Sequence, residues 1–221
     1  MEKIIFLGTS AGMPTAKRNV ASFALIFENN GDFWLFDCGE STQHQINLTG
    51  LKLSKLKNIF ISHLHGDHIF GLPGLLATRG LQGIEKSINI FGPVGLEEYL
   101  GNCFNYSKTH IPYHYNFYPV ERERFMDSNL LWAKEDCSVY CTILNHQIDS
   151  FGYSVIEKKT KRNIIVEKLM KLGIKPGPIY QNIKEKNRIT LKDGRILKRD
   201  EFVKVTIHVK KISYCSDTMF S

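Results

Sequence analysis

The segment that most limits how this chain can fold is residues 59–74, IFISHLHGDHIFGLPG. An apolar β-type run ends at Ser62, and the next six residues supply three imidazoles and a carboxylate. A strand end has no packing use for that density of ligating groups, whereas a metal ion does. His63 and His65 stand two apart, so in an extended segment they point the same way and can grip one ion together. Gly66 lets the chain turn and present Asp67 and His68 as a second, adjacent pair. Imidazole and carboxylate with no thiolate in the loop favour zinc or manganese over a soft-metal or iron–sulfur site. Paired ions roughly 3.5–4 Å apart activate a water and clamp a displacement at phosphorus or carbon.

Around this segment strands alternate with helices. Residues 3–7, 22–27 and 32–36 read as strands, the last two joined by an Asn29-Asn30-Gly31 turn. The intervening loop, residues 8–19, holds small donors and Arg18, which suit a phosphate pocket and a plain hairpin connection equally. Asp37 directly follows a strand, where it either orients metal-bound histidines or caps a helix over residues 41–48. Residues 71–74 open a helix, 87–91 form a strand, and Gly92-Pro93 begins a helix to about Phe104. His44, His110 and His114 read as structural or surface histidines; Pro112 separates the last two and no glutamate follows His110. Strands are expected at 139–144, ending in Asn145-His146, at 204–209 and at 211–213. Between Lys158 and Arg199 the text turns basic. It holds KKTKR, an amphipathic helix over 164–172, a Pro/Gly turn over 173–180 and a hairpin over 189–197 on Asp193-Gly194.

Length and composition bound the rest. A chain of 221 residues hides about 70% of its unfolded surface, which suits one domain with an insertion. No apolar run approaches the roughly 18 residues of a membrane span, and the opening MEKIIFLGTS reads as a strand entering a motif, so no signal, transit or anchor segment is expected. The five cysteines are dispersed without a C-x-x-C pair, which fits a reducing compartment; Cys137 and Cys141 read as small core residues. A net charge of +7 is compatible with a polyanionic partner without demanding one.

HLHGDH is similar to the signature of the metallo-β-lactamase superfamily. Three further blocks, GTSAGMPTAKRN (8–19), LFDCGESTQHQI (35–46) and FGLPGLL (70–76), resemble ribonuclease Z, the endonuclease that trims tRNA 3′ trailers. H-x4-FGY-x3-E from His146 and Y-C-S-D-T from Tyr214 resemble that family's third and fourth metal motifs. The resemblance implies an α/β fold, a metallo-β-lactamase-type αββα sandwich with an inserted basic arm and an incomplete second half. Residues 1–157 would be the core with its metal motifs, 158–199 a tRNA-binding arm, and 200–221 the return to the core. It also implies two zinc ions, with manganese as an alternative: His63, His65, His146 and Asp217 on the first, and Asp67, His68 and Asp217 on the second. Asp37 would orient the histidines, Asp67 would be the general base, and Lys158, Lys159, Lys161, Arg162 and Lys175 would meet tRNA phosphates.

The implied activity is zinc-dependent removal of the 3′ trailer from precursor tRNA, leaving a 3′-hydroxyl on the tRNA and a 5′-phosphate on the trailer. The implied assembly is a homodimer. No membrane association is expected, and the expected location is a bacterial cytoplasm or a plastid that encodes the protein. The family's C-terminal catalytic and metal histidines have no counterpart before Ser221. Alternatives therefore stand beside this reading: another metallo-β-lactamase-fold phosphodiesterase, or a truncated or split form that binds tRNA and needs a C-terminal partner chain to cleave it.

Overall fold

The computed structural model describes residues 3–27, 30–125, 129–134 and 136–219. The chain forms two compact units. The first comprises Met1–Lys134, Ser138–Val155 and Lys211–Ser221; the second comprises Glu135–Cys137 and Ile156–Lys210.

In the first unit β1 (Lys3–Gly8), β2 (Ser22–Ile26) and β3 (Phe33–Phe36) form an antiparallel meander. The Phe27 N–H donates to the Asp32 carbonyl at 2.9 Å, and Gly31 takes a φ of 68°, open to glycine without strain. Asn29 of the expected turn lies outside the described residues. After α1 (Thr42–Thr49), β4 (Leu56–Phe60) runs parallel to β3. The one-turn α2 (Gly66–Ile69) and α3 (Leu72–Leu81) lead to β5 (Ile88–Pro93), and α4 (Leu96–Tyr106) to β6 (Tyr115–Val120). The six strands lie in sequence order, with the last three pairings parallel. Parallel neighbours need crossovers, and the helices supply them.

A second sheet is built from β7 (Leu130–Lys134), β8 (Cys137–Leu144) and β9 (Ser150–Ile164). β9 continues into the second unit, which holds α5 (Val166–Lys171), α6 (Pro178–Glu185), β10 (Arg188–Thr190), β11 (Ile196–Lys198) and α7 (Arg199–Phe202). β12 (Val203–Tyr214) returns to the first, and the sheet order is β12-β9-β8-β7.

Period-two alternation sorts the strands' side chains between two layers. Leu35, Ile59, Ile61, Ile88 and Ile90 join Ile46 of α1, Leu72, Leu75 and Leu76 of α3 and Leu96 and Leu100 of α4 in one buried cluster. Each such side chain contributes about 1.5–3 kcal/mol on burial. The alternate residues form a single cross-strand row, Phe23, Phe36, Phe60, Phe91 and Tyr118, stacked at centroid spacings of 4.6, 5.0, 4.7 and 4.6 Å. Against that row pack Tyr153 of β9 and Tyr214 of β12, with Trp132 of β7 edge-on to Trp34. The layers are thus helix, sheet, sheet, as expected of an α/β fold with two facing sheets.

Several details depart from expectation. Strands β6 and β7 lie in residues 115–134, where the sequence pattern predicts no element. KKTKR, to which no element is assigned from sequence, is the distal part of one 15-residue strand, β9. The two strands expected at 204–213 are a single strand, β12. Of the expected Pro/Gly turn, Pro178 is already the first residue of α6, where its missing N–H costs nothing. The second unit has its own small core of Leu169, Ile183, Leu197, Phe202 and Val203, and its β10–β11 hairpin pairs Ile189 with Leu197.

Candidate metal centre

The parallel strands β3 and β4 end side by side, and the loops that follow are held together by backbone hydrogen bonds. Asp37 N–H donates to the Phe60 carbonyl at 2.8 Å, Cys38 N–H to the His68 carbonyl at 2.8 Å, and Gly71 N–H to the Cys38 carbonyl at 3.0 Å. Asp37 turns the chain with a φ of 54°, a left-handed value that aspartate tolerates. Gly39 is obligatory here, because a Cβ would stand 2.1 Å from the Asp67 carbonyl oxygen. From the facing sheet, Phe151 N–H donates to the Ser62 carbonyl at 3.0 Å and the Tyr153 hydroxyl to that of Ile61 at 2.7 Å. Strand ends from both sheets therefore frame the histidine loop.

Among the described residues two groups of ligating atoms converge. One is His63, His65 and His146; the other is His63, His68 and Asp217. In the first, His65 Nδ1 lies 3.0 Å from His63 Nε2 and 3.2 Å from His146 Nε2. Nitrogens bound to a tetrahedral zinc at about 2.0–2.1 Å stand roughly 3.3 Å apart, so the donor set fits such an ion in chemistry and in spacing. In the second, Asp217 Oδ2 is 4.0 Å from His63 Nε2 and 3.7 Å from His68 Nε2. Asp67 Oδ2 is 3.4 Å from His68 Nε2 and accepts the Gly12 N–H at 2.8 Å, so the glycine-rich loop after β1 fixes this carboxylate. His63 belongs to both groups, whereas the bridging role was expected of Asp217 alone.

Behind these two groups stands a buried hub. Asp37 Oδ1 accepts the Ser62 N–H at 2.7 Å; Oδ2 accepts the Ser62 hydroxyl at 2.8 Å, His68 Nδ1–H at 2.7 Å and the Tyr214 hydroxyl. Ser62 Oγ further contacts His63 Nδ1 at 2.9 Å and Ser216 Oγ at 2.8 Å. Burial, and then the positive field of His68, lower His63 to a pKa of about 4, leaving a neutral imidazole able to ligate. Burial also pulls His68 down, but its hydrogen bond to Asp37 and the charges of Asp37, Asp67 and Asp217 outweigh that and raise it. Burial, followed by the Asp37 charge, raises Tyr214 and keeps its phenol a donor.

The helix-cap alternative for Asp37 is not what its side chain does. Its acceptors are taken by the metal loop and β12, and Ser41 precedes α1 with no side-chain capping bond. His44, His110 and His114 are exposed. Cys137 and Cys141 are free thiols, half-buried and buried. In the second unit Lys158, Lys161, Arg162 and Lys175 are exposed, while Lys159 is half-buried and 3.8 Å from Glu157. The sequence reading missed Ser62, Tyr214 and Ser216; the only signal for them was their adjacency to His63 and Asp217.

Known proteins match this arrangement over nearly its full length. Ribonuclease Z of Gloeothece citriformis is 44% identical over 218 residues, 99% of this chain and 67% of that protein. Its counterpart in Acaryochloris marina is 46% identical over 99% of this chain and 68% of its own. The chain belongs to the ribonuclease Z family. It spans about two thirds of the length of these curated relatives. The crystal structure of human tRNase Z, short form (ELAC1), superposes with a TM-score of 0.64 at 38% identity, covering 70% of this chain and 64% of that one. The metallo-β-lactamase fold protein YhfI of Bacillus subtilis shares the fold, with a TM-score of 0.51 at 17% identity. Residues 2–141 match, and so place the chain in, the family described as Anti-Pycsar protein Apyc1, a match that takes in the histidine loop and ends before His146 and Asp217. Among the described residues no helix is long and apolar enough to cross a membrane.

Proposed function

We propose that this ribonuclease Z family member is an endoribonuclease that removes the 3′ trailer of precursor tRNA, leaving a 3′-hydroxyl on the tRNA and a 5′-phosphate on the trailer. The observation that carries the reading is the convergence of His63, His65 and His146 with His68, Asp67 and Asp217 at the strand ends, in a chain whose full-length matches are ribonucleases Z. His63, His65 and His146 would hold one zinc ion. His63 or Asp217 would be shared with a second, which His68 and Asp67 complete; manganese suits the same oxygen and nitrogen donors. Bound there, the ions supply Lewis acidity and an acidified water.

The chain's own groups do the rest. Asp67, its carboxylate fixed by the Gly12 N–H, takes the proton of the attacking water as general base. Asp37 holds His68 with Nε2 toward the site. Lys158, Lys159, Lys161, Arg162 and Lys175 contribute phosphate contacts that position substrate without reading its sequence. The reading extends to a homodimer in a bacterial cytoplasm or a plastid, in keeping with the cyanobacterial sources of the relatives.

The test is single-turnover cleavage of end-labelled precursor tRNA with zinc or manganese titrated in. A cut after the discriminator nucleotide, lost in Asp67→Ala with tRNA affinity retained, is expected; full activity in that variant refutes the role of Asp67. A second reading is a metallo-β-lactamase-fold phosphodiesterase acting on small substrates, for which the histidine loop inside the match over residues 2–141 would serve without the basic segment. Hydrolysis of bis(p-nitrophenyl) phosphate with no cleavage of precursor tRNA would establish it instead.

A further inference from the structure

Proton bookkeeping around Ser62 goes beyond the ligand set. Its side chain is fully buried, and three groups lie within hydrogen-bond distance of the one hydroxyl: Asp37 Oδ2 at 2.8 Å, His63 Nδ1 at 2.9 Å and Ser216 Oγ at 2.8 Å. A serine hydroxyl has one proton to give and lone pairs to receive others. A carboxylate only accepts, so if Ser62 gave its proton elsewhere, two oxygens with no proton between them would face each other at 2.8 Å. Donation to the charged acceptor is also the stronger choice, because a hydrogen bond to an ionised group is stronger than one between neutral groups. The hydroxyl proton is therefore committed to Asp37, and His63 must be the donor in its contact with Ser62.

We propose that Ser62 is a positioning residue that sets the tautomer of His63. It passes the demand of the Asp37 carboxylate on to the His63 ring, so that Nδ1 carries the proton and Nε2 is left bare. Asp37 imposes the same tautomer on His68 directly, through the 2.7 Å bond from its Nδ1. One carboxylate thus prepares both rings whose Nε2 atoms approach Asp217 Oδ2, and His63 Nε2 is also the atom 3.0 Å from His65 Nδ1. Ser216, one residue before Asp217, enters the same hydroxyl cluster, which ties the end of β12 to the histidine loop. This inference rests on the reading of His63 and His68 as metal ligands, but its first test involves neither substrate nor turnover.

The experiment is nitrogen-15 NMR of the histidine rings in the full chain, metal-free and then zinc-loaded, with zinc affinity measured by competition against a chelating dye. In the metal-free wild type the expected signature is Nδ1–H on His63. Ser62→Ala should shift that ring toward Nε2–H and weaken zinc binding by about 10–100-fold, the range for partners that orient metal-bound histidines. Ser62→Thr, which keeps the hydroxyl, should restore both. A wild-type His63 protonated on Nε2 overturns the proposal even if Ser62→Ala fails to fold. So does a folded Ser62→Ala with Nδ1–H retained and zinc affinity unchanged. Loss of tRNA cleavage with the tautomers as expected would count against the proposed function and leave this inference standing.

Discussion

Replacing Asp37 with asparagine isolates the hub, because the two side chains have the same shape and leave no cavity. Asp37 is fully buried and its oxygens serve four donors within 2.8 Å, one on Oδ1 and three on Oδ2, with the Ser216 hydroxyl a longer fifth at 3.4 Å from Oδ2. The amide will turn its oxygen toward the three donors, which sets its NH2 against the Ser62 N–H where Oδ1 now accepts at 2.7 Å. An unpaired buried donor costs about 1–3 kcal/mol, and each of the three remaining bonds loses about 1 kcal/mol with the charge. The total of about 4–6 kcal/mol is a large share of the 5–15 kcal/mol typical of a folded domain. Urea unfolding of the metal-stripped chain followed by circular dichroism would measure it. With a slope of about 2 kcal/mol/M, the midpoint should fall by roughly 2–3 M. A fall of under about 0.3 M would mean that these donors are not satisfied by Asp37, and the hub reasoning would fail.

Three other perturbations probe separate parts of the molecule. His146→Ala removes the ligand supplied by the second sheet, so metal analysis should find about one zinc fewer per chain and trailer cleavage should drop more than about 100-fold; unchanged zinc content would remove His146 from the centre. Changing Lys158, Lys161, Arg162 and Lys175 together to alanine should raise KM for precursor tRNA, spare hydrolysis of bis(p-nitrophenyl) phosphate, and flatten the log–log salt dependence of tRNA binding by about 3. An unaltered slope would mean that these cations do not meet phosphates. Burial pushes Cys137 up to about 11 and Cys141 up to about 12, so at pH 8 roughly one in a thousand and one in ten thousand are thiolate. Iodoacetamide on the native chain should modify the exposed Cys215 well before either, with the order read by peptide mass spectrometry, and all should react once the chain is unfolded in urea.

Local spacing carried much of this protein. The histidine loop was legible because two-residue and one-residue spacings on an extended segment fix direction without help from distant chain. The same holds for the β10–β11 hairpin on Asp193-Gly194, where a short turn fixes the register. The strands β6 and β7 were not legible: both are mixed in exposure rather than cleanly alternating, β6 is largely aromatic, and they become strands only because β5 and β8 present edges to pair with. The basic run inside β9 reads as a solvated segment until its partner strands are known, because exposed lysines carry no strand signal of their own.

The sequence by itself determined the pairs of ligating side chains that lie close together in the chain, the strands whose alternate residues divide between helices and facing sheet, and the placing of Asp37 at a strand end. Tertiary structure alone decided the contacts that span the chain. His146 meets His65 across 81 residues, and Ser216 meets Ser62 across 154. Those encounters depend on two sheets packing through an aromatic row, so no spacing rule along the chain can contain them. The ring of His68 is likewise oriented by a partner distant in sequence, Asp37, 31 residues away, which takes Nδ1 and leaves Nε2 toward the site.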